Sequence, residues 1–198
     1  LLQMLFAPDS FNKRKRKLIA LRKEFKNLIV LGPLIYAIHH FEEHVVFNFI
    51  EWKLKYFQHS AASMSTEAIL SILTSILVIF ALPHLVKNNR ASAHVILFIL
   101  FSTQIINALF HIFFSLYYND LSPGVVTGIL LYLPANFFIV RAAFKEDFLK
   151  SYAEYGLIAF LGTVTFVMFE IFGPIILGLA IIVSCMYFFW FNKRLTRG

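Results

Sequence analysis

Between Ile35 and Phe47 the chain reads IYAIHHFEEHVVF, so that His39, His40, Glu42, Glu43 and His44 fall within six consecutive positions of an apolar segment. Imidazoles and carboxylates in this mixture can bind zinc, iron or manganese, exchange protons with a substrate, or carry a cation. Ionisable side chains at membrane depth cost roughly 2.5–3.5 kcal/mol each on insertion, so five together require partners, water or a metal. On a helix turning about 100° per residue, with His39 at zero, Glu43 falls at about 40°, Glu42 at about −60°, His40 at about 100° and His44 at about 140°. Glu42 and His44 point to nearly opposite sides, and the five cannot share one ion. The compact sets are His39 with Glu42 and Glu43, or Glu43 with His40 and His44. Further along, Asn107 and His111 stand four residues apart on one helix face.

The elements that must hold these groups are membrane helices. Of 198 residues, 59% are hydrophobic, 24 are Phe, and the mean hydropathy is +0.73, outside the range of a soluble domain. Apolar segments at roughly 28–50, 67–86, 92–117 and 123–144 each supply the ~20 residues a bilayer core takes. The run at 156–191 is too long for one span and carries Gly173-Pro174 at its middle, which predicts a hairpin of two. The fold expected is therefore all-α, a polytopic transmembrane bundle in the cell membrane, with six spans preferred, five as the alternative, and both termini cytoplasmic. With that orientation sixteen of the eighteen Lys and Arg face inward and only Lys53 and Lys55 face outward. Residues 1–27 read as a basic membrane-surface segment, 28–191 as the transmembrane domain and 192–198 as a basic cytoplasmic tail.

The net charge of +7 is concentrated before the first apolar segment, which points to anionic headgroups and argues against nucleic acid. No small-residue cleavage site follows a short apolar run at the N-terminus, so the opening does not read as a removable secretory signal. No nucleotide or haem motif is present. Cys185 is the one cysteine and reads as a packed hydrophobe.

Counted from the outer ends of the spans, His39 to His44, Asn107, His111, Thr127, Tyr132, Ser71, Thr74, Ser75 and Glu170 come to similar depth. That layer is what a buried site open to the outer face would produce. The elements His39-His40-Phe41-Glu42-Glu43, then Asn107 with His111, then Pro123-Gly124-Val125-Val126-Thr127 resemble the family of integral membrane proteins marked by an HxxEE motif, a downstream Asn/His pair and a PGxxT element. The similarity runs from about residue 30 to 140. One departure is Leu121, where the family often has Tyr two positions before the Pro. The resemblance implies a catalytic role, names no reaction, and adds weight to His39, Glu42, Glu43, Asn107, His111 and Thr127.

The leading expectation is a membrane-embedded metal-dependent enzyme acting on a lipid or other hydrophobic substrate. His39, Glu43 and His111 are the expected ligands, Glu42 a ligand or general base, and Asn107 and Thr127 the groups that orient them; His40, His44, Tyr132 and Glu170 stand nearby. Two rivals use the same residues: a metal-free isomerase of a sterol- or isoprenoid-like substrate, and a small transporter or ion-binding protein. Elsewhere, Pro123 and Gly124 read as a turn and helix start, Trp52 and Trp190 as interfacial anchors, His84 and His94 as interfacial residues at the cytoplasmic ends, and His59 as a solvated loop residue.

Overall fold

The computed structural model describes residues 24–57 and 65–195, and every regular element among them is helical. Helices α1 (Glu24–Ile29) and α2 (Leu31–Phe41) run nearly end to end into a wide π-helical turn at Glu42–Val46. The chain then bends through extended Phe47. Asn48 starts a short helix, α3 (Phe49–Tyr56), by accepting the Glu51 N–H on its side-chain oxygen at 3.1 Å. The first apolar segment therefore does not run unbroken over 28–50, as the sequence suggested. Asn48 and the charges of Glu51, Lys53 and Lys55 fit a separate helix at the end of the bundle.

Three long rods follow in alternation. Helix α4 spans Thr66–Lys87; α5 (Arg90–Leu100) continues through a π turn at Phe101–Ile105 into α6 (Ile106–Tyr118); α7 (Val125–Thr127) continues through a π turn at Gly128–Tyr132 into α8 (Leu133–Lys145). Pro134 cannot donate to the carbonyl four residues back, which accounts for the widened turn just before it. The long apolar tail is divided at Gly173-Pro174 into α9 (Tyr152–Phe172) and α10 (Ile175–Leu195), with Gly173 at φ +70° making the reversal.

Five helical stretches are long and apolar enough to cross a membrane: Leu70–Lys87, Arg90–Tyr118, Val125–Lys145, Tyr152–Phe172 and Ile175–Arg194. The unit from Glu24 to Val46, interrupted near Val30 and widened at its end, is not among the five. The last two stretches bury only 11% and 6% of their apolar windows, so this hairpin presents greasy surface outward. Such a surface suits lipid and would be a liability in water.

Inside the bundle, polar side chains join the rods. Gln104 in the second π turn donates to the Gly32 carbonyl at 2.9 Å and accepts from Asn136 at 2.8 Å, and Asn136 also donates to the Tyr132 carbonyl. Both amides are buried, and each such bond contributes about 1 kcal/mol when fully made. Close contact of α6 with the third π turn depends on small residues: a Cβ on Gly128 would lie 3.3 Å from that of Ala108.

At the end of the bundle away from α3, His84 and His94 are buried. His84 Nδ1 meets Ser92 Oγ at 2.8 Å, while His94 meets the Tyr187 hydroxyl at 2.6 Å and the Phe148 carbonyl at 2.8 Å. Both stand near the helix ends, as expected, and there they tie helix ends and a loop together. Trp52 is also buried, packed on Phe49 and Tyr56, whereas Trp190 is exposed with Arg194 over its ring. The basic cluster at 13–23 and His59 lie outside the described residues.

Candidate functional site

The HxxEE segment meets the start of α7 at one end of the bundle. Asn119, at φ 50°, ends α6 in the left-handed conformation. The chain returns through Ser122, whose N–H donates to Ser115 Oγ at 2.8 Å, into Pro123 and Gly124. The first N–H groups of a helix have no partners within it and carry partial positive charge. Glu42 takes three backbone N–H groups at this helix start: Gly124 and Val126 donate to Oε1 at 3.1 Å each, and Thr127 to Oε2 at 2.7 Å. Glu42 was expected as a ligand or general base. The structure instead commits both its oxygens to the backbone, where it fastens one motif to the other.

Glu43, one residue on, points into the bundle. Its Oε1 lies 2.9 Å from His111 Nε2 and 3.3 Å from His39 Nε2, and the three side chains are almost completely buried. The far nitrogens of both rings are held by hydroxyls, His39 Nδ1 at 2.7 Å from Thr127 Oγ1 and His111 Nδ1 at 2.8 Å from Ser122 Oγ. Thr127 Oγ1 in turn lies 3.4 Å from the Gly124 carbonyl, to which it donates, so it accepts from His39 Nδ1–H. His39 then turns the lone pair of Nε2 toward the carboxylate. Ser122 Oγ can donate to or accept from His111 Nδ1, so His111 Nε2 either donates its N–H to the carboxylate or turns a second lone pair toward it, and in the second case a cation must stand between the three groups. The donor set fits a metal: bonds of about 2.0–2.1 Å allow donors up to about 4.2 Å apart, and two imidazoles with a carboxylate suit zinc, iron or manganese.

Gly124 makes the approach feasible. Its φ is +97°, and a Cβ there would lie 2.8 Å from His39 Cε1, 3.0 Å from Glu43 Cγ and 3.1 Å from His111 Nε2. Tyr132 packs against His39, with ring centroids 4.3 Å apart and the planes tilted by 33°, and is fully buried.

On its other side Glu43 faces a cavity of about 290 Å³. His40 and His44 line it, with His40 Nδ1 at 4.0 Å and His44 Nε2 at 3.8 Å from Glu43 Oε2. Asn107 lines it too, its Oδ1 buried and without a hydrogen-bond partner among the described residues. Asn107 was expected to brace His111, and Ser122 does so instead. Phe110, Phe166 and Phe169 form apolar wall, and Glu170 accepts from Lys53 at 2.6 Å on the same cavity. Ser71 and Ser75 are exposed, and neither they nor Thr74 line this cavity.

Ser122 and Lys53 escaped the sequence reading. Ser122 sits in a loop, to which helical periodicity does not apply, and Lys53 reaches the cavity only because α3 folds back. A serine immediately before the Pro-Gly pair was the available signal for the first.

Fold and site together define a bundle of long apolar helices with a buried His/Glu cluster beside a cavity at one end. The family described as "Protein of unknown function with HXXEE motif" matches residues 30–139, and the chain belongs to it. No curated protein and no solved structure matches the chain. The matched stretch contains all three motif elements: His39 and Glu43 meet His111, Glu42 holds the backbone at Gly124 and Thr127, and Thr127 holds His39.

Proposed function

We propose that the chain is a membrane-embedded, metal-dependent enzyme acting on a lipid or other hydrophobic substrate, with zinc, iron or manganese held by His39, Glu43 and His111. The observation that carries this reading is the convergence of two buried Nε2 atoms on Glu43 Oε1, with the glutamate also facing a cavity walled by Phe side chains. The unit Glu24 to Val46 joins the five apolar stretches as a sixth span, and both termini lie in the cytoplasm, which puts the site near the outer face. A metal in this position supplies Lewis-acid activation of a substrate oxygen or lowers the pKa of water. Thr127 and Ser122 fix the imidazole rings. The phenylalanines exclude water around the reacting group, while Asn107 and the Lys53–Glu170 pair meet the polar end of the substrate.

The 2.9 Å approach of His111 to Glu43 also supports proton transfer between imidazole and carboxylate, as a metal-free isomerase requires. One experiment separates these readings. Protein in nanodiscs is incubated with a total lipid extract, with and without each metal, and the lipids are profiled by mass spectrometry. A lipid class that changes with metal-loaded wild type, and not with chelated protein or Glu43→Gln, supports the proposal. Conversion that persists under full chelation contradicts it.

A further inference from the structure

Glu43 is shared by two donor sets, and the second remains to be used. His39, Glu43 and His111 form one set, with all donor atoms within 4.8 Å of one another; His40, Glu43 and His44 form another that meets the same limit. The two sets use different oxygens of the carboxylate, Oε1 toward His39 and His111 and Oε2 toward His40 and His44. The second set borders the cavity entirely, whereas of the first set only His39 and Glu43 reach it and His111 is held on the inner side by Ser122. Its separations of 3.8 and 4.0 Å are a few tenths of an ångström wider than the ~3.4 Å between tetrahedral ligands at bonds of about 2.1 Å, so the second ion would draw the two imidazoles slightly inward.

We infer that Glu43 bridges a dinuclear metal centre, one ion on His39 and His111 and a second on His40 and His44 at the cavity wall. The inference rests on the metal reading of the first set and extends it. A carboxylate using one oxygen for each ion places the ions a few ångströms apart, as in two-metal hydrolytic sites and the carboxylate-rich centres of helical bundles. The π turn at Glu42–Val46 makes this sharing feasible. It begins between His40 and Glu43, ends just after His44, and sets the glutamate against imidazoles on both sides. The His40 and His44 rings lie 4.3 Å apart at their centroids and leave Nδ1 of one and Nε2 of the other facing the same oxygen. Glu67, in the first turn of α4, is within electrostatic reach of both and adds negative charge on that side. The second ion, with all of its ligands on the cavity wall, would face a substrate there, and the first, backed by His111, would hold Glu43 and share its charge.

Manganese is the probe. Detergent-purified protein is stripped with chelator, dialysed and titrated with Mn²⁺, with bound and free ion counted by electron paramagnetic resonance. Two ions per chain with the spectrum of an exchange-coupled pair, falling to one uncoupled ion in His40→Ala/His44→Ala, is the expected result. One ion per chain in wild type, unchanged in that double variant and lost in His39→Ala/His111→Ala, overturns the dinuclear centre and leaves the mononuclear reading standing. Two ions without coupling overturn it as well. No bound ion in wild type removes both readings. Because the wild-type count and coupling decide the matter, a variant that fails to fold does not obscure the outcome.

Discussion

Gly124→Ala puts the smallest extra group into the most crowded point of the site. The new methyl would sit 2.8 Å from His39 Cε1, 3.0 Å from Glu43 Cγ and 3.1 Å from His111 Nε2, closer than carbon atoms approach in a packed interior. Two costs add. An L residue at φ +97° is strained by about 1–2 kcal/mol, and overpacking a buried site adds about 1–3 kcal/mol. Neighbouring groups cannot yield easily, because His39 is fixed through Thr127 and His111 through Ser122. A total loss of about 2–5 kcal/mol follows, together with displacement of the three donors and loss of metal binding. Gly156→Ala is the control, since Gly156 lies within helix α9 and a Cβ there meets nothing within 4 Å. Unfolding of both variants in detergent, followed by circular dichroism against denaturant, measures the difference, and metal titration measures the site. Wild-type stability and metal affinity in Gly124→Ala would refute the reasoning.

Three further outcomes are expected. Glu42→Gln removes a carboxylate from three backbone N–H groups and destabilises the fold by about 2–4 kcal/mol, whereas Glu43→Gln abolishes metal binding with a smaller change in apo-protein stability; denaturant melts of the two apo variants check the order. At the edge of α3, the Tyr56 hydroxyl at 2.6 Å and then Lys55 at 2.9 Å hold the Asp120 carboxyl below its ordinary value of 3.8. A depressed carboxylate contributes its stability above the unfolded value and loses it as pH falls through the folded one, so docking of α3 weakens only below about pH 3.8. Trp52 fluorescence in a Trp190→Phe background, scanned from neutral to acid, should show that transition and lose it in Asp120→Asn. For the six-span arrangement, Cys185→Ser carrying Arg197→Cys should react with an impermeant maleimide only from the cytoplasmic side, and the same background carrying Leu121→Cys only from the outside; labelling of both from one side contradicts it.

The helices themselves were legible because twenty-residue apolar runs and Gly173-Pro174 are signals of composition and local geometry. The break after Val46 was legible only afterwards. Asn48 and the charges of α3 mark it, yet the apolar residues around them mask a change of direction. The wheel built on His39 treats the segment as one regular helix and gives the neighbours of Glu43 correctly within it, since those contacts lie within four residues. It has no means of showing that Glu42 faces a helix start about eighty residues away. Nor does composition mark the three π turns, which arise where tertiary contacts and Pro134 disturb the ladder. Asn107 and His111 share a face as their spacing requires, but the hydroxyl that holds His111 comes from a loop, and its position follows from the left-handed turn at Asn119.

The central claim is that His39, Glu43 and His111 hold a metal. Elemental analysis of protein purified without added metal, beside Glu43→Gln/His111→Ala prepared identically, tests it most directly. The account predicts at least one equivalent of zinc, iron or manganese in the wild type and none in the variant. Equal metal in the two, or none in a wild-type preparation that also fails to bind added metal, would contradict it.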